Sequence, residues 1–211
     1  MINNKTIIAI TQGDINGIGY EVILKTLAEP RVYDDFVPVI YGSSKAAGFY
    51  RKQLDIQGLN LNIINTVDED IRVEPGKATE EAGKAAFAAL ERATADMQKG
   101  LVDALVTAPI NKKNIQSAEF HFPGHTEYLE QVFGEKNSSL MLLVNDVMRV
   151  AVVTGHIPVK NIASAITKEL ILEKLKTLNQ SLKQDFTVIR PRIAVLGLNP
   201  HAGDEGVIGD E

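Results

Sequence analysis

The feature that most constrains this chain is a regular alternation of short apolar runs with longer segments of helical periodicity. Residues 6–10, 37–41, 61–64, 101–106, 148–154 and 193–198 are apolar runs of strand length, and helical patterns separate most of them. Runs that are apolar throughout suit strands covered on both faces. Strand, helix and strand in alternation therefore predict an α/β fold, a mostly parallel sheet with helices on both faces. Residues 80–99 form an Ala-rich helical pattern that stops at Gly100, and residues 168–183 form another behind Thr167, a capping residue. One stretch breaks the rhythm. Residues 140–144 and 148–153 are apolar and separated by Asn145-Asp146, a pairing that predicts an antiparallel hairpin arm and, through its open edge, a homodimer.

The 211 residues are long enough for one large domain or two small ones. The irregular stretch 120–124 is the expected boundary, giving a first α/β domain over 1–121 and a second over 122–211 that carries the hairpin arm. A hydrophobic share of 45% and a charged share of 23% place the chain among folded globular proteins rather than disordered or membrane ones. The net charge of −5, with no cluster of Lys and Arg, excludes nucleic acid as a partner. There is no secretory leader and no run approaching a membrane span, so the expectation is a cytoplasmic protein without a membrane partner. Behind the run 193–198 comes NPHAGDEGVIGDE, a glycine-rich ending that leaves a core-type strand without its following helix. That reads as an unfinished chain.

Ligands of parallel α/β sheets bind beyond the carboxyl ends of the strands, so residues that follow the strands are the candidates. With no cysteine, any metal must be held by His, Asp or Glu. His156 and His201 each follow a core run beside a turn-forming Gly or Pro, which suits two imidazoles on one metal or two unrelated loop histidines. His125 and Thr126 stand at the start of a helical pattern, Thr126 as a candidate cap and His125 where an anionic substrate group would be favoured, or where it is incidental to the cap. His121, between Phe120 and Phe122, reads as a packing residue. Asn111 and Lys112 follow another strand, where an ammonium meets a phosphate or carboxylate or is simply a surface lysine. The glycines of residues 13–19 permit close backbone approach to a ligand, but their spacing is not the dinucleotide-binding fingerprint.

Taken together, GDINGIGYE (13–21), VTAPINK (106–112), PGHTE (123–127), TGHIPVKNI (154–162) and GLNPHAG (197–203) resemble, in order, the 4-hydroxythreonine-4-phosphate dehydrogenase family of pyridoxal phosphate biosynthesis. The first motif is also similar to the loop of isocitrate and isopropylmalate dehydrogenases, whose fold the resemblance implies. It further implies that His156 and His201 are two of three metal-binding histidines and that His125 and Thr126 contact substrate. The third histidine, the acid–base residues and the cofactor contacts would belong to a carboxyl-terminal part beyond this sequence. Ile15, Asn16 and Tyr20 depart from the usual GDPAGIGPE, removing two prolines.

The reaction the resemblance implies is metal-dependent oxidation of 4-phosphohydroxy-L-threonine with NAD or NADP, to a β-keto acid that loses carbon dioxide and leaves 3-amino-2-oxopropyl phosphate. The metal would be zinc, magnesium or cobalt. Two rivals stand beside it. The substrate is instead a four-carbon phosphorylated sugar acid, erythronate or threonate phosphate, or the chain is a non-catalytic fragment of such an enzyme.

Overall fold

The computed structural model describes residues 5–134 and 139–211. Along the chain these form β1 (Thr6–Thr11), α1 (Gly19–Leu27), α2 (Val32–Asp35), β2 (Phe36–Gly42), α3 (Ser44–Gln53), β3 (Ile63–Asn65), α4 (Glu80–Gln98) and β4 (Ala104–Thr107). They continue with α5 (His125–Phe133), β5 (Leu142–Val144), β6 (Arg149–Ala151), α6 (Ile162–Ala165) and α7 (Lys168–Gln184), with short 3-10 turns at Val159–Asn161 and Pro200–Gly206. Two compact units divide the chain, Met1–Val132 and Phe133–Glu211.

The first unit is built on a parallel sheet of order β3-β2-β1-β4, with Thr6 opposite Phe36 and Ile8 opposite Ala104. The strand period of two sends neighbouring residues to opposite faces. Ile10, Ile40 and Ile63 meet Ile23, Leu24 and Leu27 of α1 and Ala46, Ala47 and Tyr50 of α3. On the opposite face Ala9, Val39 and Tyr41 meet Ala89 and Ala93 of α4. Helices thus cover both faces, as the unbroken apolar runs of the strands require.

Helix α4 has the ends its sequence announces. Thr79 Oγ1 accepts the Ala82 N–H at 3.2 Å, and Gly100, at φ 69°, takes the left-handed turn that stops the helix. Its alanines allow close packing on the sheet. Gly83 allows more, since a Cβ there would overlap the carbonyl oxygen of Asn114. The end of β1 is pinned by Gln12, whose Oε1 accepts from the Tyr20 hydroxyl at 2.8 Å and the Ser43 N–H at 2.9 Å. Its Nε2 donates to the Ala85 carbonyl at 3.0 Å, so one buried amide joins β1, α1, the start of α3 and α4. Behind β4, Ile115, Phe120 and Tyr128 pack with Ala86 and Leu90 and tie α5 to the unit.

In the second unit β5 and β6 pair antiparallel, with Leu142 opposite Ala151. The turn between them is longer than the two residues expected. Asn145 donates its N–H to the Met148 carbonyl at 3.0 Å, and its Oδ1 accepts the N–H groups of Val147 and Met148 at 2.9 and 2.8 Å. Thr167 caps α7 by accepting the Leu170 N–H at 3.2 Å. The expected strand at 193–198 is not formed. A strand exists through its ladder, and no described segment pairs with this one, so Val195 and Leu196 stand 60% and 90% exposed. Leu182 is the one apolar side chain of this unit, among the described residues, that is buried.

Candidate active site

The chain runs from β1 outward through β2 to β3 and then returns to β4 on the other side of β1, so the strand order reverses between β1 and β4. In open α/β sheets that reversal, at the carboxyl ends, is the binding crevice. Two loops leave it. In the first, Asp14 donates its N–H to the Pro109 carbonyl of the second at 2.9 Å. Gly13, at φ 67°, makes that approach possible, since a Cβ would overlap the Pro109 oxygen; a Cβ on Gly19 would likewise overlap the Gln12 oxygen. These two glycines serve the contact of the chain with itself.

The residues that depart from GDPAGIGPE are built into this arrangement. Ile15 is fully buried and its carbonyl accepts the Tyr50 hydroxyl at 2.8 Å. Asn16 Oδ1 accepts the Glu74 N–H at 2.7 Å, and its Nδ2 donates to the Lys77 carbonyl at 2.9 Å and to Thr79 Oγ1 at 3.1 Å. Tyr20 is buried against Gln12 and Ser43, and burial raises its hydroxyl pKa well above the ordinary value despite the Ser43 backbone bond. Side-chain hydrogen bonds thus fix a loop that lacks two prolines.

Beyond β4, Asn111 Oδ1 accepts the Lys113 N–H at 3.0 Å, an Asx turn that reverses the chain around Lys112. Gln116 Nε2 donates to the carbonyls of Lys112, at 3.2 Å, and Phe122, at 2.9 Å. One amide therefore holds the loop after β4 against the segment that leads into α5. Lys112 Nζ then lies 3.9 Å, and Glu127 Oε2 3.6 Å, from where a Cβ of Gly124 would stand.

His125 opens α5 in a half-buried position, and its Nε2 is buried with no hydrogen-bond partner in the protein. Burial, and after it the charge of Lys112, lowers its pKa, which favours the neutral imidazole. Thr126 is exposed and is not the helix cap that was expected. The Gly124 carbonyl accepts the Tyr128 N–H at 3.5 Å, so the helical bonding starts one residue before His125 and places Thr126 inside the first turn. His121 is exposed and stacks on Phe122 with ring centroids 5.5 Å apart.

His156 and His201 belong to the second unit, where both are exposed and both have left-handed backbone, φ 54° and 51°. His201 lies in a run with Ala202, Asp204 and Glu205, all at positive φ. Such backbone costs roughly 1–2 kcal/mol per non-glycine residue and gathers at ligand clamps. Because 193–198 is not a strand, His201 follows an irregular segment rather than a strand end. As donors, two imidazoles suit zinc or cobalt better than magnesium, which takes oxygen ligands. Among the described residues no group of three or more His, Asp or Glu side chains is placed to hold a metal, so these two do not complete a coordination shell.

Sequence reasoning did not single out Gln12 or Gln116 and marked Asn16 only as a departure from the usual loop, because their roles are contacts over long or irregular separations. Nor is any helix among the described residues long and apolar enough to cross a membrane.

A parallel sheet covered by helices on both faces, its strand order reversing between β1 and β4, defines an α/β fold of the doubly wound class. The structure of 4-hydroxythreonine-4-phosphate dehydrogenase from Klebsiella pneumoniae superimposes with a TM-score of 0.84 at 30% identity, covering 100% of this chain and 68% of that one. Residues 34–211 match the family described as Pyridoxal phosphate biosynthetic protein PdxA, and the chain belongs to that family. It is 54% identical to the 4-hydroxythreonine-4-phosphate dehydrogenase of Bacteroides thetaiotaomicron over 100% of this chain and 62% of that relative. A Clostridium botulinum relative provisionally named D-threonate 4-phosphate dehydrogenase is 33% identical over 100% of this chain and 67% of its own length.

Proposed function

We propose that the chain is part of an enzyme that oxidises 4-phosphohydroxy-L-threonine with NAD or NADP, in pyridoxal phosphate biosynthesis. The observation that carries this reading is the 54% identity along the whole chain to a relative of that name. The alcohol carbon beside the carboxylated carbon gives up hydride to the nicotinamide and a proton from its oxygen. The resulting β-keto acid releases carbon dioxide to leave 3-amino-2-oxopropyl phosphate.

His125 and Thr126 are the proposed substrate contacts. A neutral imidazole donates through one ring nitrogen and accepts through the other, so His125 can orient a substrate hydroxyl or an anionic oxygen without adding charge. The exposed Thr126 hydroxyl, one residue on, offers a second polar contact. His156 and His201 are proposed as two ligands of a divalent metal. When bound, such a metal would supply Lewis-acid chemistry at the substrate's oxygens. We propose further that the enzyme is a cytoplasmic homodimer, with the β5–β6 hairpin in the interface. Its support is the exposure of Leu143, Val144, Val147 and Met148 on that hairpin.

The Clostridium relative favours a second reading, in which a hydroxyl replaces the substrate's amino group. Initial rates of nicotinamide reduction by the full-length enzyme with 4-phosphohydroxy-L-threonine, D-threonate 4-phosphate and D-erythronate 4-phosphate separate the two. A kcat/KM at least about tenfold higher for the amino substrate is expected. The reverse ranking overturns the first reading in favour of the second, and no reduction with any of them overturns both.

A further inference from the structure

The geometry points to Lys112 as a further substrate-binding residue, an ammonium for an anionic oxygen of the substrate, with Gln116 as the positioning residue that holds it beside His125. The inference rests on the reading of His125 and Thr126 as the substrate site. Three observations lead there. The Asx turn at Asn111 reverses the chain so that Lys112 turns back toward Gly124. Gln116, with a single amide nitrogen, joins the Lys112 and Phe122 carbonyls and so ties together the two loops. The Lys112 side chain is exposed, while the neighbouring imidazole carries a buried nitrogen without a protein partner.

A cation beside a half-buried histidine favours a neutral ring, so the pair offers one positive charge and one neutral hydrogen-bonding group. That combination binds a phosphate or carboxylate oxygen by a charge-assisted bond from the lysine and a directional bond at the imidazole. The Glu127 carboxylate also lies close to Gly124.

The test uses Lys112→Gln, Lys112→Arg and Gln116→Ala in the full protein, with thermal unfolding to verify folding. With turnover of the phosphorylated substrate, Lys112→Gln is expected to raise KM about tenfold with kcat within about threefold. Lys112→Arg is expected to recover most of the loss. Gln116→Ala should raise KM less, and adding it to Lys112→Gln should cost nothing more, because it acts through the lysine. An unchanged KM in Lys112→Gln overturns the proposal. If the wild-type protein turns over none of the substrates, the functional reading has failed, and the lysine is judged by binding alone. Inorganic phosphate and acetate are then titrated while the imidazole resonance of His125 is followed, assigned with His125→Gln. A saturable shift, weakened about tenfold in Lys112→Gln, sustains the proposal, and the tighter anion identifies the substrate group. No shift, or equal affinity in both proteins, overturns it.

Discussion

The two units of this chain carry similar sequence patterns to different ends. In the first, apolar strands and alanine-rich helix meet on both faces of a sheet, and polar side chains such as Gln12 and Asn16 are placed where several elements need joining. In the second, the same kind of apolar run is left in the open at Val195 and Leu196, and the buried apolar residue among those described is Leu182 alone. The candidate ligands follow that division. His125 sits half-buried at the head of a packed helix, whereas His156 and His201 stand exposed on left-handed backbone. Local pattern can mark a strand, but burial requires a partner surface, and only the first unit has one within its own residues.

The largest expected effect separates the two directly. Leu90→Ala, at a residue 1% exposed, should lower stability by about 2–5 kcal/mol, while Leu196→Ala should change it by less than about 0.5 kcal/mol. Urea unfolding followed by circular dichroism measures both, and a comparable loss at Leu196 would mean that this segment is buried in solution. Next is a pair of glycines. In an open helix Gly→Ala gains up to about 1 kcal/mol, but Gly83→Ala must move the Asn114 carbonyl and should instead cost roughly 1–3 kcal/mol. Gly155 has nothing within 4 Å of a Cβ, and its alanine variant should unfold at nearly the wild-type urea midpoint.

What was legible in the sequence was what neighbours along the chain decide. Thr79 and Gly100 marked the ends of α4, Thr167 marked the start of α7, and Asn145 marked the hairpin turn, because capping and turn bonds span only a few residues. The parallel sheet followed from the alternation of runs, but its strand order did not. The strand at 193–198 was misread because its composition says only that it would be buried, and nothing in its own residues supplies the ladder. Thr126 matched a cap signature, but the helix took Gly124 as its first acceptor. Lys112 approaches Gly124 across a span that Gln116 bridges, and no spacing rule links a glutamine to two carbonyls on either side of it.

The capping threonines give a smaller effect, expected in both units alike. Thr167→Ala should cost about 1 kcal/mol, and Thr79→Ala somewhat more, since Thr79 also accepts from Asn16 Nδ2. An equal loss would mean that the Asn16 bond adds nothing. The gentlest expected effect is alkaline. All five tyrosines lie in the first unit, and burial, followed by the hydrogen bond to Asp96, pushes Tyr41 up to about 12. The unfolded chain loses this proton near its ordinary value of 10.0, before the folded chain does. The stability is therefore full below pH 10 and declines from there toward about pH 12. Urea midpoints measured across that range should fall, and Tyr41→Phe should flatten the fall.

Native-state hydrogen exchange on the whole chain tests the contrast most directly, because it reads every amide under one condition. The account predicts the slowest exchange in β1, β2, β4 and α4, substantial protection in α5 around His125, and nearly free exchange in residues 154–161 and 193–206 that carry His156 and His201. Protection of 193–206 equal to that of β1 would contradict it, since that segment would then be held by a partner surface like the one that encloses the sheet.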